Sequence, residues 1–175
     1  MIHYEWEIRR ARRRQTLRNS DPANSTCLFR FPLCFMYDVL LIPVDLSSTN
    51  ESVLDAARDL AAPDHTRVLL HHAIETLQDE APGEMDDFYA DLQQEAEKKL
   101  GAWTSDLAED GYDVDFMITY GERGPEITRV AEEQDADLLV MRSHRVDRDD
   151  PDSPVGTVSH QVAVFAPCSV HLVRA

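Results

Sequence analysis

GPEITRVAEEQDADLLVM, residues Gly124 to Met141, holds a helix and a strand back to back. Gly121, Gly124 and Pro125 turn the chain into a helix whose Ile127, Val130, Ala131 and Gln134 recur on one face. The apolar run Asp137 to Met141 (DLLVM) follows at once and reads as a strand. An amphipathic helix feeding an apolar strand is the repeating unit of a parallel sheet wrapped by helices.

The same alternation extends in both directions. Upstream, Tyr37 to Val44 (YDVLLIPV) is short, apolar and rich in β-formers, as a strand buried on both faces should be. Ser47, Ser48 and Thr49 offer N-caps for a helix with Val53, Ala57 and Leu60 inward, which Pro63 and Asp64 end. Arg67 to Ile74 (RVLLHHAI) is a second strand. The longest helix is expected over Glu84 to Glu109, with Met85, Phe88, Tyr89, Leu92, Ala96, Leu100, Trp103 and Leu107 inward and Gly111 as its stop. Val114 to Thr119 is a third, alternating strand.

Downstream of Met141, an acidic, proline-bearing loop from Val146 to Pro154 precedes a last helix, Val155 to Phe165. Its expected inward residues are Val155, Val158, Val162 and Phe165, and Pro167 closes it. Ser169 to Arg174 (SVHLVR) is the final strand. Five strands and four helices in βα order, joined by right-handed crossovers, make a doubly wound α/β sheet. Ligands of such sheets bind beyond the carboxyl ends of the strands, which directs attention to Pro43 to Ser48, His71 to Glu75, and Arg142 to Thr157.

Composition narrows the partners. At 175 residues the chain suits one ordinary core. Its net charge of −16 hides an asymmetry: residues 1–35 carry seven arginines against three acidic residues, which leaves Met36 to Ala175 at −20. Lys98 and Lys99 are the only lysines. Such a surface lacks the cationic face that a nucleic-acid partner requires, and it suits concentrated salt, where screening shortens self-repulsion.

Three cysteines (Cys27, Cys34, Cys168) without CxxC spacing indicate neither a disulfide framework nor zinc, which fits a reducing cytoplasm. No 18-residue apolar run occurs, so no transmembrane helix is expected. The paired arginines near the start lack the apolar segment and cleavage site of an export signal. Residues 1–35 read instead as a disordered extension, with Met36 as the natural start of a domain over 36–175.

Four stretches together resemble the universal stress protein family: LLIPVDLS (Leu40 to Ser47), VLLHHAIE (Val68 to Glu75), the block Gly124 to Met141, and APCSVHLVR (Ala166 to Arg174). The resemblance covers Met36 to Ala175. It implies a three-layer, Rossmann-like fold with a five-stranded parallel sheet in order 3-2-1-4-5. It also implies a homodimer through the C-terminal strand, with Val170, Leu172 and Val173 in or near the seam or in ordinary core. An unpaired edge strand supplies a physical reason to dimerise.

ATP-binding members resemble one another in a G-x-x-G loop, nine residues, then G-[ST], after the fourth strand. Glycines let the backbone approach phosphate oxygens, and the next helix N-terminus meets the charge. Here the segment reads Arg142-Ser143-His144-Arg145, ten residues, then Gly156-Thr157. Gly156 and Thr157, with Val158 opening the last helix, remain as an anion site. Arg142 and Arg145 replace both early glycines, and strain is expected if either position has positive φ. Their guanidiniums could instead hold phosphate directly, or pair with Asp147, Asp149, Asp150 and Asp152.

The resemblance places Asp45 where it would accept from ribose or order the loop; a helix cap is the structural alternative. Pro43 would shape the adenine edge. His72 stands where the family often has a small apolar residue whose backbone contacts adenine, so its imidazole would stack on the base, crowd it, or simply pack. The remaining histidines, His71 among them, show no metal spacing, and no GxSxG elbow, P-loop, paired carboxylates or HxGH-type signature points to an enzyme. Two readings follow: a dimeric stress-response protein acting through protein partners, its ATP loop degenerate, or an ATP sensor in which the arginines replace the glycines.

Overall fold

A computed structural model describes residues 37–76, 86–143 and 157–174. The expected N-terminal extension, Met85, Arg145, Val155, Gly156 and the acidic loop over 146–154 lie outside the described residues. Five strands, β1 (Val39–Pro43), β2 (Arg67–Ile74), β3 (Asp113–Tyr120), β4 (Leu138–Ser143) and β5 (Ser169–Arg174), form one parallel sheet in the order β3-β2-β1-β4-β5. Four helices connect them: α1 (Glu51–Leu60), entered through a 3-10 turn over Ser48–Asn50, α2 (Asp86–Glu109), α3 (Arg123–Glu133) and α4 (Val158–Phe165).

The period of two in a strand sorts alternate residues into two cores. Leu40, Ile42, Val68, Leu70, Leu138 and Val140 face α1 and α2, packing on Val53, Leu54, Ala57, Ala96, Leu100 and Leu107. Val39, Leu41, Leu69, Leu139 and Met141 face the other way, onto Ile127, Val130, Ala131 and Val162 of α3 and α4. Every residue of β1 is therefore buried, as a central strand with helices on both faces requires.

The ends of the elements have identifiable causes. At the end of α2, Gly111 at φ +92° donates from its N–H to Ala108 O at 3.0 Å, while Tyr112 N–H reaches Leu107 O at 3.1 Å. This is a Schellman stop, with the side chains of Tyr112 and Leu107 in one core. At the amino ends of the strands, one carboxylate oxygen of Asp137 accepts from Asp38 N and Val39 N at 3.0 and 2.9 Å, tying the entry of β4 to that of β1.

Three expectations need correction. Phe88 and Phe165 obey the helical spacing but are 49% and 72% exposed, because both lie in the terminal turn of a helix, past the edge of the layer beneath. Arg142 was expected in a loop; β4 instead continues through Ser143, with Arg142 registered against Val173 of β5. A strand residue has no left-handed backbone, so Arg142 brings none of the strain anticipated for a glycine position. The described non-glycine residues at positive φ are Leu46, Asp64 and Asp135.

Candidate functional site

At the carboxyl ends of β1, β2 and β4, where the strand order reverses, lies a cavity of about 290 Å³. Six of the residues expected from sequence line it: Pro43, Asp45, His72, Arg142, Thr157 and Val158. Arg145 and Gly156 lie outside the described residues. Sequence reasoning placed His71 only in a strand-end stretch and gave no role to Asn50, Arg123 and Ser159; these four complete the polar lining. Doubly wound topology carried the signal for His71, which shares a strand end with His72, whereas Arg123 and Asn50 arrive from helix starts whose turn signals say nothing of a ligand.

Asp45 orders the β1–α1 turn. One carboxylate oxygen accepts from Ser47 N at 3.0 Å, Ser47 Oγ at 2.6 Å and Asn50 Nδ2 at 2.7 Å. It is not a helix cap, since Ser47 and Asn50 occupy the cap positions of the 3-10 turn and of α1. Partial burial pushes its pKa up, but the hydrogen bonds from Ser47 and Asn50 and the charge of Arg142 outweigh this and hold the group below the ordinary carboxylate range. Leu46, held at φ +61°, is a strained position beside the site.

Arg142 reaches from β4 across to that turn. Its Nη1 donates to Thr49 Oγ1 and stands 4.0 Å from the second oxygen of Asp45. On the far side Arg123 pairs with Glu75 at 3.0 Å. Two of the domain's few cations thus line one cavity in a strongly acidic protein, each beside a carboxylate.

Thr157 caps α4: its hydroxyl accepts from His160 N at 3.4 Å and lies 3.0 Å from Ser159 Oγ. The first intrahelical bonds run from His160 N and Gln161 N to Thr157 O. The amides of Val158 and Ser159 precede them and form the positive end of the helix.

The two histidines of β2 point to opposite faces of the sheet. His71 is fully buried, with Nε2 2.9 Å from Thr119 Oγ1, and burial depresses its pKa to about 4. His72 is half-buried, with Nδ1 2.9 Å from Val44 O. Its pKa is lowered, chiefly by burial.

The sequence and fold match a known family. The model of the universal stress protein family matches residues 36–174. The chain belongs to this family. A curated universal stress protein from Methanothermobacter thermautotrophicus is 40% identical over 60 residues, a stretch that covers 33% of this chain and 38% of that relative, well short of its full length. Among solved structures, the hypothetical protein MJ0577 superposes with a TM-score of 0.69 at 26% identity, over 80% of this chain and 97% of that one. Universal stress protein UspA from Lactobacillus plantarum superposes at 0.64 with 21% identity, over 79% and 98%. A family member from Arabidopsis thaliana, solved with AMP bound, shares the fold at 0.57 and 17% identity, over 78% and 90%. Within this universal stress protein, no helix among the described residues is long and apolar enough to cross a membrane.

Proposed function

We propose that this universal stress protein is a binding protein rather than an enzyme, and that its cavity takes an adenine nucleotide. The observation that carries the reading is the cavity itself: Arg142, the α4 N-terminus and the β2 edge line one space at the switch point of the sheet. That AMP is bound by a relative of the same fold supports the ligand class. Arg142, anchored at Thr49 and Asp45, supplies by guanidinium what glycine amides supply elsewhere in the family. In the cell the protein would act in the cytoplasm as a homodimer paired along β5, with nucleotide occupancy biasing what the dimer meets.

The experiment is a titration of purified protein, at high salt, with AMP and ATP. Saturable micromolar binding, weakened by Thr157→Val and by Arg142→Gly, is expected. No saturable binding at millimolar nucleotide would leave the reading that the sequence put first, a dimer that works through protein partners without nucleotide. One observation favours that partner reading: Val164, Phe165 and Leu172, on α4 and the edge strand β5, are exposed.

A further inference from the structure

Hydrogen-bond direction fixes the tautomer of His72. Val44 O can only accept, so His72 Nδ1 carries the proton it shares at 2.9 Å. Burial keeps the ring neutral, so His72 Nε2 holds a lone pair and no hydrogen. His71 Nε2 shares a hydrogen bond with Thr119 Oγ1 at 2.9 Å, and its buried Nδ1 has no hydrogen-bond partner.

The cavity is thus divided by chemistry. Its β2 side carries the His72 acceptor; across from it, Arg142, Thr157 and the first turn of α4 offer donors and positive charge. A ligand that fits carries an anion at one end and a hydrogen-bond donor at the other.

We propose that His72 is a specificity-determining residue whose Nε2 accepts from the exocyclic amine of an aminopurine, so that the site selects 6-amino over 6-oxo purine nucleotides. The inference rests on the nucleotide reading above. An oxo group placed against this lone pair faces acceptor with acceptor and leaves the imidazole unsatisfied on desolvation, the arrangement that discriminates most strongly.

The test compares AMP with IMP by calorimetric titration of the full chain and of His72→Val. The substitution keeps a β-branched residue in a strand and touches no phosphate contact. The wild type should bind AMP at least about tenfold more tightly than IMP, and the variant should bring the ratio to within about twofold. Two-bond ¹H–¹⁵N spectra of the wild type should show His72 as the Nδ1–H tautomer, with Nε2 shifting on addition of AMP and not of ribose 5-phosphate. If His72→Val binds AMP with the ratio intact, or if Nε2 does not respond to bound AMP, the assignment to His72 is overturned while the nucleotide reading stands. If neither nucleotide binds the wild type, the nucleotide reading fails and this inference falls with it.

Discussion

The two ends of the sheet are built on opposite terms. At the amino ends of the strands, polar groups find partners in the protein: Asp137 takes the amides of Asp38 and Val39, Thr66 Oγ1 bridges Tyr37 O and Ala62 N, and Tyr112 donates its hydroxyl proton to Arg58 O. At the carboxyl ends lie a buried, unpartnered imidazole nitrogen, a strained Leu46 and two arginines around an open cavity. A ligand can satisfy groups only where the fold has left them unsatisfied.

The largest test of that contrast uses pH, because His71 belongs to the binding end yet sits in the core. Its pKa of about 4 when folded lies below the ordinary 6.5 of the unfolded chain. Between those values the unfolded chain binds more protons, so stability rises with pH through the window and falls as pH drops from 6.5 toward 4. Lowering the pH from 7 to 5 should cost about 2 kcal/mol through this residue. Urea unfolding at the two pH values measures it, and His71→Gln should flatten the dependence; an unchanged slope in that variant would remove His71 as the cause.

Asp137→Ala attacks the other end and should cost about 1–2 kcal/mol by freeing two amides. Nucleotide affinity should stay within error, so a parallel loss of binding would show the two ends to be coupled. Gly111→Ala places a Cβ at φ +92° in the Schellman stop and should cost about 1 kcal/mol in thermal or urea unfolding, again without a binding effect. Arg142→Gly should do the reverse. Its effect on stability should stay within about 1 kcal/mol, the cost of a glycine in a strand plus a partly exposed ion pair, while nucleotide affinity falls. A variant that binds as well as the wild type would show that Arg142 holds the turn and not the ligand.

How much of this was legible in the sequence differs by element. β2 and β5 were readable to the residue, because an apolar run bounded by turn signals marks its own ends. Gly111 was readable as a stop because only a residue tolerant of positive φ ends a helix in that way. Phe88 and Phe165 misled, since spacing assigns a residue to a face of its helix but does not say how far the opposing layer extends. At the site, Asp45, His72, Arg142 and Thr157 were found as positions, but their hydrogen bonds were not. That Arg142 reaches Thr49 and Asp45 depended on how far β4 extends, and β4 gained Arg142 and Ser143 by pairing with β5.

The sequence by itself determined the alternation of strand and helix, the buried central strands and the acidic character of the domain, because these follow from local periodicity and composition. Tertiary structure alone decided that His71 and His72 are buried enough to stay neutral, that His72 carries its proton on Nδ1, and that Arg142 bridges to the β1–α1 turn. The last two properties depend on which distant groups, Val44 and Thr49, the crossovers bring within hydrogen-bond reach. A proton's position on an imidazole is set by that partner and not by the neighbouring residues in the chain.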